Sequence, residues 1–330
     1  MVDAAANEPS RALRALIEQG RFQEALALHR SVDGPALRQE PEAQLFAATA
    51  ATRLGDLGLG VSLAESAMER FRVRSDRDGR MRVMNLLGAI AFEHGRLDEA
   101  ERAFGEALEL ARDLDDGLMS ARAFNNLASV AHLRGSEGVA LSLFRSALLS
   151  YERLGDRRGT AETYHNLALT FRQMANWLDA DSAAQQAVRH AEQVGERSLM
   201  ALAVMGRAEL HLDRGEFDLA REELARAEWF AREAGDEIGI AEAGRLRALV
   251  ALRRGQPAAA LEEAEIARAA AERLGSRLLQ AESAAAAARA LVQLGRGTEV
   301  GSRTHEAAGI FRRLGALRLL RELEEEFGPT

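Results

Sequence analysis

The sequence predicts an all-α protein built as a stack of helical hairpins, and three observations carry that reading. Residues 85–116, NLLGAIAFEHGRLDEAERAFGEALELARDLDD, read as two amphipathic helices joined at Gly95. The same turn returns every 40 residues, at Gly55, Gly95, Gly135, Gly215, Gly255 and Gly295, with Ala175 in register. A fixed period of this length marks a repeat architecture. A second glycine series, Gly155, Gly195, Gly235, Gly275 and Gly315, falls between the first, so each period holds two helices. In a stack each unit contacts only its neighbours, so 330 residues need not divide into globular domains. The expectation is one array over 1–330: an amino-terminal capping hairpin at 9–40, repeats at 41–315, and a carboxy-terminal capping helix at 316–327.

The elements follow in order. Pro9–Ser10 starts the first helix, because proline suits the first turn and serine caps it. That helix carries Leu13, Leu16 and Ile17 and stops at Gly20; its partner places Phe22, Ala25, Leu26 and Leu28 on one side. Pro35 and Pro41 bracket the exit, each disfavouring helix in the residue before it. The second hairpin pivots at Gly55, with Gly58 and Gly60 weakening its second helix. The junction RFRVRSDRDGRMR interleaves arginines with Asp76 and Asp78 and reads as a solvated turn or as a docking patch for an acidic partner. From residue 80 the pattern is regular. Small residues recur at Gly88, Ala128, Ala168, Ala208, Ala248 and Ala288, and again at Ala100, Ala140, Ala180, Ala220 and Ala260. They let paired helices approach closely, while Phe104, Phe144 and Leu224 fill the space between. In the fifth unit Ala175–Asn176 replaces the glycine turn, and Trp177 aligns with Leu97 and Phe217, a core register. The eighth unit is degenerate, with Ala284–Ala288 and the extra glycines Gly297 and Gly301, and ALRLLRELEEEFG closes the array.

Composition narrows the function. The formal charge of −8 argues against a nucleic-acid partner, and all 43 basic residues are arginine. There is no cysteine, so disulfides, thiolate metal sites and cysteine nucleophiles are excluded. The amino terminus lacks a basic region followed by an apolar core, and no run of about 20 apolar residues exists, so a cytoplasmic location is expected. Phosphate loops, nucleotide-binding glycine triplets, zinc-helix histidine pairs and GxSxG are all missing. No enzyme activity, cofactor or metal is expected.

The residues Leu87, Gly88, Gly95, Ala100, Phe104 and Ala107, repeated as Leu127, Ala128, Gly135, Ala140, Phe144 and Ala147, resemble the tetratricopeptide repeat. The resemblance runs from about residue 9 to 315, in about eight units, with a 40-residue period that exceeds the family's usual one of about 34. It is similar to the longer-unit branch found in kinesin light chains and bacterial regulators. The resemblance implies a right-handed superhelical solenoid whose first helices line a concave groove. It further implies a scaffold or adaptor that binds an extended peptide or helix of a partner protein there. A regulatory sensor that changes curvature on binding a small molecule or signalling peptide is the alternative, and a self-assembling structural subunit a third.

In this family the residues nine and ten before the turn glycine face the groove. Here they are Asn85, Asn125, Asn126, His165 and Asn166. Asn126 and Asn166 match the family's peptide-clamping asparagines; one amide both donates and accepts. Bracing of neighbouring helices is the competing reading. Arg82, Arg122, His132 and Arg172 extend the same face and imply a mildly basic strip suited to a carboxylate-bearing segment. The later units carry Leu202, Glu209, Asp213 and Glu242 instead, so the groove is expected to become acidic. Trp229, in a register that tolerates charge, is either a partner contact or an inter-repeat packing residue.

Overall fold

The computed structural model describes residues 8–18, 21–31, 40–54 and 56–329. The expected turns at Gly20 and Gly55, and Pro35, lie outside them. Seventeen helices and no strand occur among the described residues. Their contacts divide the chain into two compact units, 1–123 and 124–330.

The first unit holds α1 (Glu8–Glu18), α2 (Phe22–Ser31), α3 (Pro41–Arg53), α4 (Leu57–Val73), α5 (Arg77–Glu93) and α6 (Leu97–Asp113). It ends within α7 (Gly117–Leu133). The second continues with α8 (Glu137–Leu154), α9 (Arg157–Gln173), α10 (Trp177–Val194), α11 (Arg197–Asp213) and α12 (Phe217–Ala234). It closes with α13 (Glu237–Arg253), α14 (Pro257–Leu274), α15 (Arg277–Gln293), α16 (Gly297–Leu314) and α17 (Leu317–Phe327). Among the described residues no helix is long and apolar enough to cross a membrane.

The turns explain the period. At Gly95 the chain turns left-handed, φ 71°, and the Arg96 N–H donates to the Ala91 carbonyl at 2.8 Å, which satisfies a carbonyl the helix end would orphan. Ser75, Asp115 and Ala175 adopt the same conformation without being glycine. The following helix is started by a side chain: Asp76, Asp116, Asp156 and Asp236 each accept from the backbone N–H three residues on, at 2.9 Å. Asn176 does the same for α10.

Packing within each unit is keyed by size. Phe71 and Tyr151 are almost fully buried at the ends of α4 and α8, and the helix that follows presents Gly79 or Gly159 to the ring. Where the earlier helix ends on Ala111, Ala191 or Ala271, the same place in the next helix holds Met119, Leu199 or Leu279. Gly88 admits Phe104 in the same way. Gly60, expected only to weaken α4, is where α3 comes closest: a Cβ there would lie 2.6 Å from the Thr52 hydroxyl. The degenerate eighth unit is structurally regular, with Ala284–Ala288 buried in α15.

One expected core residue is not core. Trp177 is 38% exposed, whereas Leu97 in the same register is 5% exposed. The indole is larger than the leucine side chain this register encloses, and it spreads over the surface instead.

Candidate functional site

In the second unit the odd-numbered helices α9, α11, α13 and α15 pack side by side in one face, and hydrogen bonds of Asn125 and His132 with α9 add α7 to it. That face curls inward. Arg318, at the start of α17, places its Cβ 3.8 Å from where a Cβ on Gly135 would stand, at the turn ending α7. Glu326, eight residues later, pairs with Arg289 of α15 at 2.8 Å. Eight residues of helix span only about 12 Å. Helices α7 to α15 laid flat, at roughly 10 Å per neighbour, would separate those contacts by about 40 Å. The shared face is therefore concave.

Its first part is a cluster of amides and hydroxyls. The Asn125 Oδ1 accepts from the Asn166 Nδ2 at 3.3 Å, which ties α7 to α9; the Thr163 hydroxyl, whose proton goes to the Gly159 carbonyl at 2.7 Å, lies beside the same oxygen. Asn126 and Asn166 are half-buried beside it. His165 is buried, and its Nδ1, without a hydrogen-bond partner, points at Gly206 of α11, where a Cβ would come within 2.6 Å. The Thr170 hydroxyl donates to the Asn166 carbonyl at 2.9 Å. Its only proton is thereby used, so the 3.0 Å contact with His132 requires Nδ1–H of the imidazole to donate. His132 Nε2 then accepts from the Gln173 amide at 3.0 Å. Both histidines are neutral: burial, reinforced by neighbouring arginines, depresses His132 and His165 to about 4.

The second part is an ion-pair network. Arg172 donates to Glu209 at 2.6 Å and to Asp213 at 3.1 Å. Arg245 sits among Glu242, Glu282 at 3.7 Å and Glu209 at 3.9 Å. Burial outweighs Arg245 at Glu282, whose carboxyl is pushed up to about 7, with Glu242 and Glu209 adding repulsion.

The expected basic strip is corrected by these contacts. Arg172 is held by two carboxylates, and the two histidines are neutral. In the first unit Arg82 is bound by Glu42 at 2.5 Å and Asp78 at 2.8 Å. Arg122 is exposed on α7, and Asn85 is half-buried on α5. Two further arginines of the junction are likewise paired, Arg74 with Glu40 at 2.9 Å and Arg77 with Asp113. Trp229 is 49% exposed on α12, edge-on to Phe230 and beneath the Arg197 guanidinium at 4.9 Å, away from the amide cluster. Thr163, Thr170, Gln173, Arg245 and Glu282 were not singled out by sequence. Glu282 was reachable, because it stands thirteen before its turn, as Glu242 does.

Residues 40–113 and 119–193 match the tetratricopeptide repeat family model. No curated protein matches the sequence. Among solved structures, a Rap protein complexed with Competence and Sporulation Factor is similar, with a TM-score of 0.75 and 15% identity over 99% of this chain and 88% of that one. The Rap conjugation gene regulator of the plasmid pLS20, in complex with the Phr* peptide, gives 0.59 and 11% over 98% and 95%. Aspartyl phosphate phosphatase F from Bacillus subtilis gives 0.54 and 13% over 98% and 94%. Identities this low establish a shared fold.

Proposed function

The chain being a tetratricopeptide-repeat protein, we propose that it is a non-catalytic binding platform. The concave face of its second unit receives an extended segment of a partner protein. The observation that carries this reading is the Asn125–Asn166 amide pair linking α7 to α9, with half-buried Asn126 next to it in sequence and two neutral histidines on the same helices. Asparagine amides can donate to one backbone carbonyl and accept from a neighbouring N–H, which suits main-chain recognition. Each such bond contributes about 0.5–1.5 kcal/mol net, so several must act together. Two structures sharing the fold were solved with bound partners, Competence and Sporulation Factor and the Phr* peptide, which supports a peptide as the ligand class. The ion pairs of Arg172 remove it as an open carboxylate receptor. Recognition on this face then rests on hydrogen bonding to the main chain more than on a basic strip.

The test is selection from a displayed library of short random peptides, run in parallel on the wild type and on Asn126→Ala/Asn166→Ala. Peptides enriched on the wild type and lost on the variant, with helicity unchanged, are the expected result. Equal enrichment on both would remove the asparagines from the site.

A further inference from the structure

We propose that α17 is a reversible clasp, joining the α7–α8 turn to α15 and α16 and thereby shutting the concave face of the second unit around whatever it holds. The gating clause rests on the peptide-binding reading; the clasp itself does not.

Three observations point to it. The two ends of α17 grip different places: Arg318 lies against Gly135, and Glu326 pairs with Arg289 while Glu324 pairs with Arg312 at 3.1 Å. Residues 135 and 318 are brought together from opposite ends of the unit, so this contact closes the curl. Its grip end adjoins the candidate site, since the Arg318 charge reaches His132, which lies about two helical turns from Asn125 and Asn126 on α7. At the other end Glu326 and Phe327 border a cleft of about 580 Å³, walled by Leu212, Leu249, Leu252 and Val292. The clasp thus stands over unfilled space.

The same helix is built to let go. It has 11 residues and only Leu320 and Leu323 are buried. Its ion pairs are between a third and a half exposed and are weak in water. At the other joints that end in an aromatic residue, glycine stands eight positions on, as with Phe71 and Gly79 or Tyr151 and Gly159. Phe311 is followed instead by Leu319, so α17 cannot seat as deeply. Short elements with few buried contacts open locally without global unfolding.

The chain contains no cysteine, so a designed pair is unambiguous. Gly135→Cys/Arg318→Cys sets two Cβ atoms 3.8 Å apart, within disulfide range, and the left-handed turn already accepts non-glycine residues at Ser75, Asp115 and Ala175. Air oxidation of the full chain is expected to give a monomeric, intrachain disulfide. Hydrogen exchange of the α17 amides is expected to slow at least tenfold relative to the reduced protein. No disulfide, or unchanged exchange, would overturn the clasp. Should the paired substitution lose helicity, Glu326→Arg, which sets like charges beside Arg289, is used instead. It should speed α17 exchange tenfold, the swap with Arg289→Glu should restore it, and no change would again overturn the clasp. For gating, the probe is the best library-selected peptide, which should associate and dissociate at least tenfold more slowly on the oxidised form. Equal rates refute gating. A library that yields no peptide refutes the binding reading and its gating clause together, and leaves the clasp to be judged by the crosslink and exchange.

Discussion

The joint between α8 and α9 offers the sharpest test of how this array is held together. A Cβ added at Gly159 would fall 2.4 Å from the Tyr151 ring, which is 3% exposed and has nowhere to retreat. Overpacking of that kind costs about 1–3 kcal/mol, against a helix-propensity gain for alanine of up to about 1 kcal/mol. Gly159→Ala is therefore expected to destabilise by about 1–2 kcal/mol. Tyr151→Ala errs in the opposite direction, leaving a hole worth about 3–5 kcal/mol. The pair Tyr151→Ala/Gly159→Leu reproduces the Ala191 and Leu199 combination of a neighbouring joint, and should return to within about 1.5 kcal/mol of the wild type. Gly105→Ala serves as the control, since nothing lies within 4 Å of its added Cβ; it should stabilise by about 0.5–1 kcal/mol. Urea unfolding followed by circular dichroism reads all four. A Gly159→Ala protein at least as stable as the wild type would refute size-keyed packing, as would a paired variant no better than Tyr151→Ala.

The titrating groups of the concave face make two further predictions. Glu282 has a folded pKa near 7, above its ordinary value of 4.5, so the folded state binds the extra proton between these limits and loses stability as pH rises through them. Glu282→Gln should therefore be more stable than the wild type at pH 8 and indistinguishable at pH 4; a difference that does not shrink on acidification would contradict this. His132 and His165 act in the other direction. With folded pKa values near 4 against 6.5 unfolded, their contribution is complete above pH 6.5 and is lost as pH falls toward 4. Imidazole resonances followed by NMR should show two histidines titrating near 4, and two ordinary midpoints near 6.5 would defeat the assignment.

Much of the fold was legible because turn chemistry and size are local. Gly95 and Asp156 announce a turn and a helix start within a few residues of sequence, and the Gly88 and Phe104 pair a close approach within one hairpin. The character of the candidate face was less legible. Arg172 reads as a free cation within its own unit, but its partners Glu209 and Asp213 stand about one period further on, in the next inner helix. Charge counted unit by unit misses pairing that runs across units. Trp177 failed for a different reason: alignment gives a register, and the room available there is set by the neighbouring helices.

The size-keyed joints also govern how such a chain can be rebuilt. A unit ending in Tyr151 fits a successor that begins with glycine in the right place, and a unit ending in Ala191 fits one that brings Leu199. Hairpins of equal length are thus not interchangeable modules. Splicing one at random, or duplicating it in tandem, sets ring against leucine or leaves a void. The joint of Ala231 with Gly239 is small on both sides, and its helices have closed accordingly: a Cβ at Gly239 would lie 3.3 Å from that of Ala231. Even there, a larger side chain on either helix would require the pair to part.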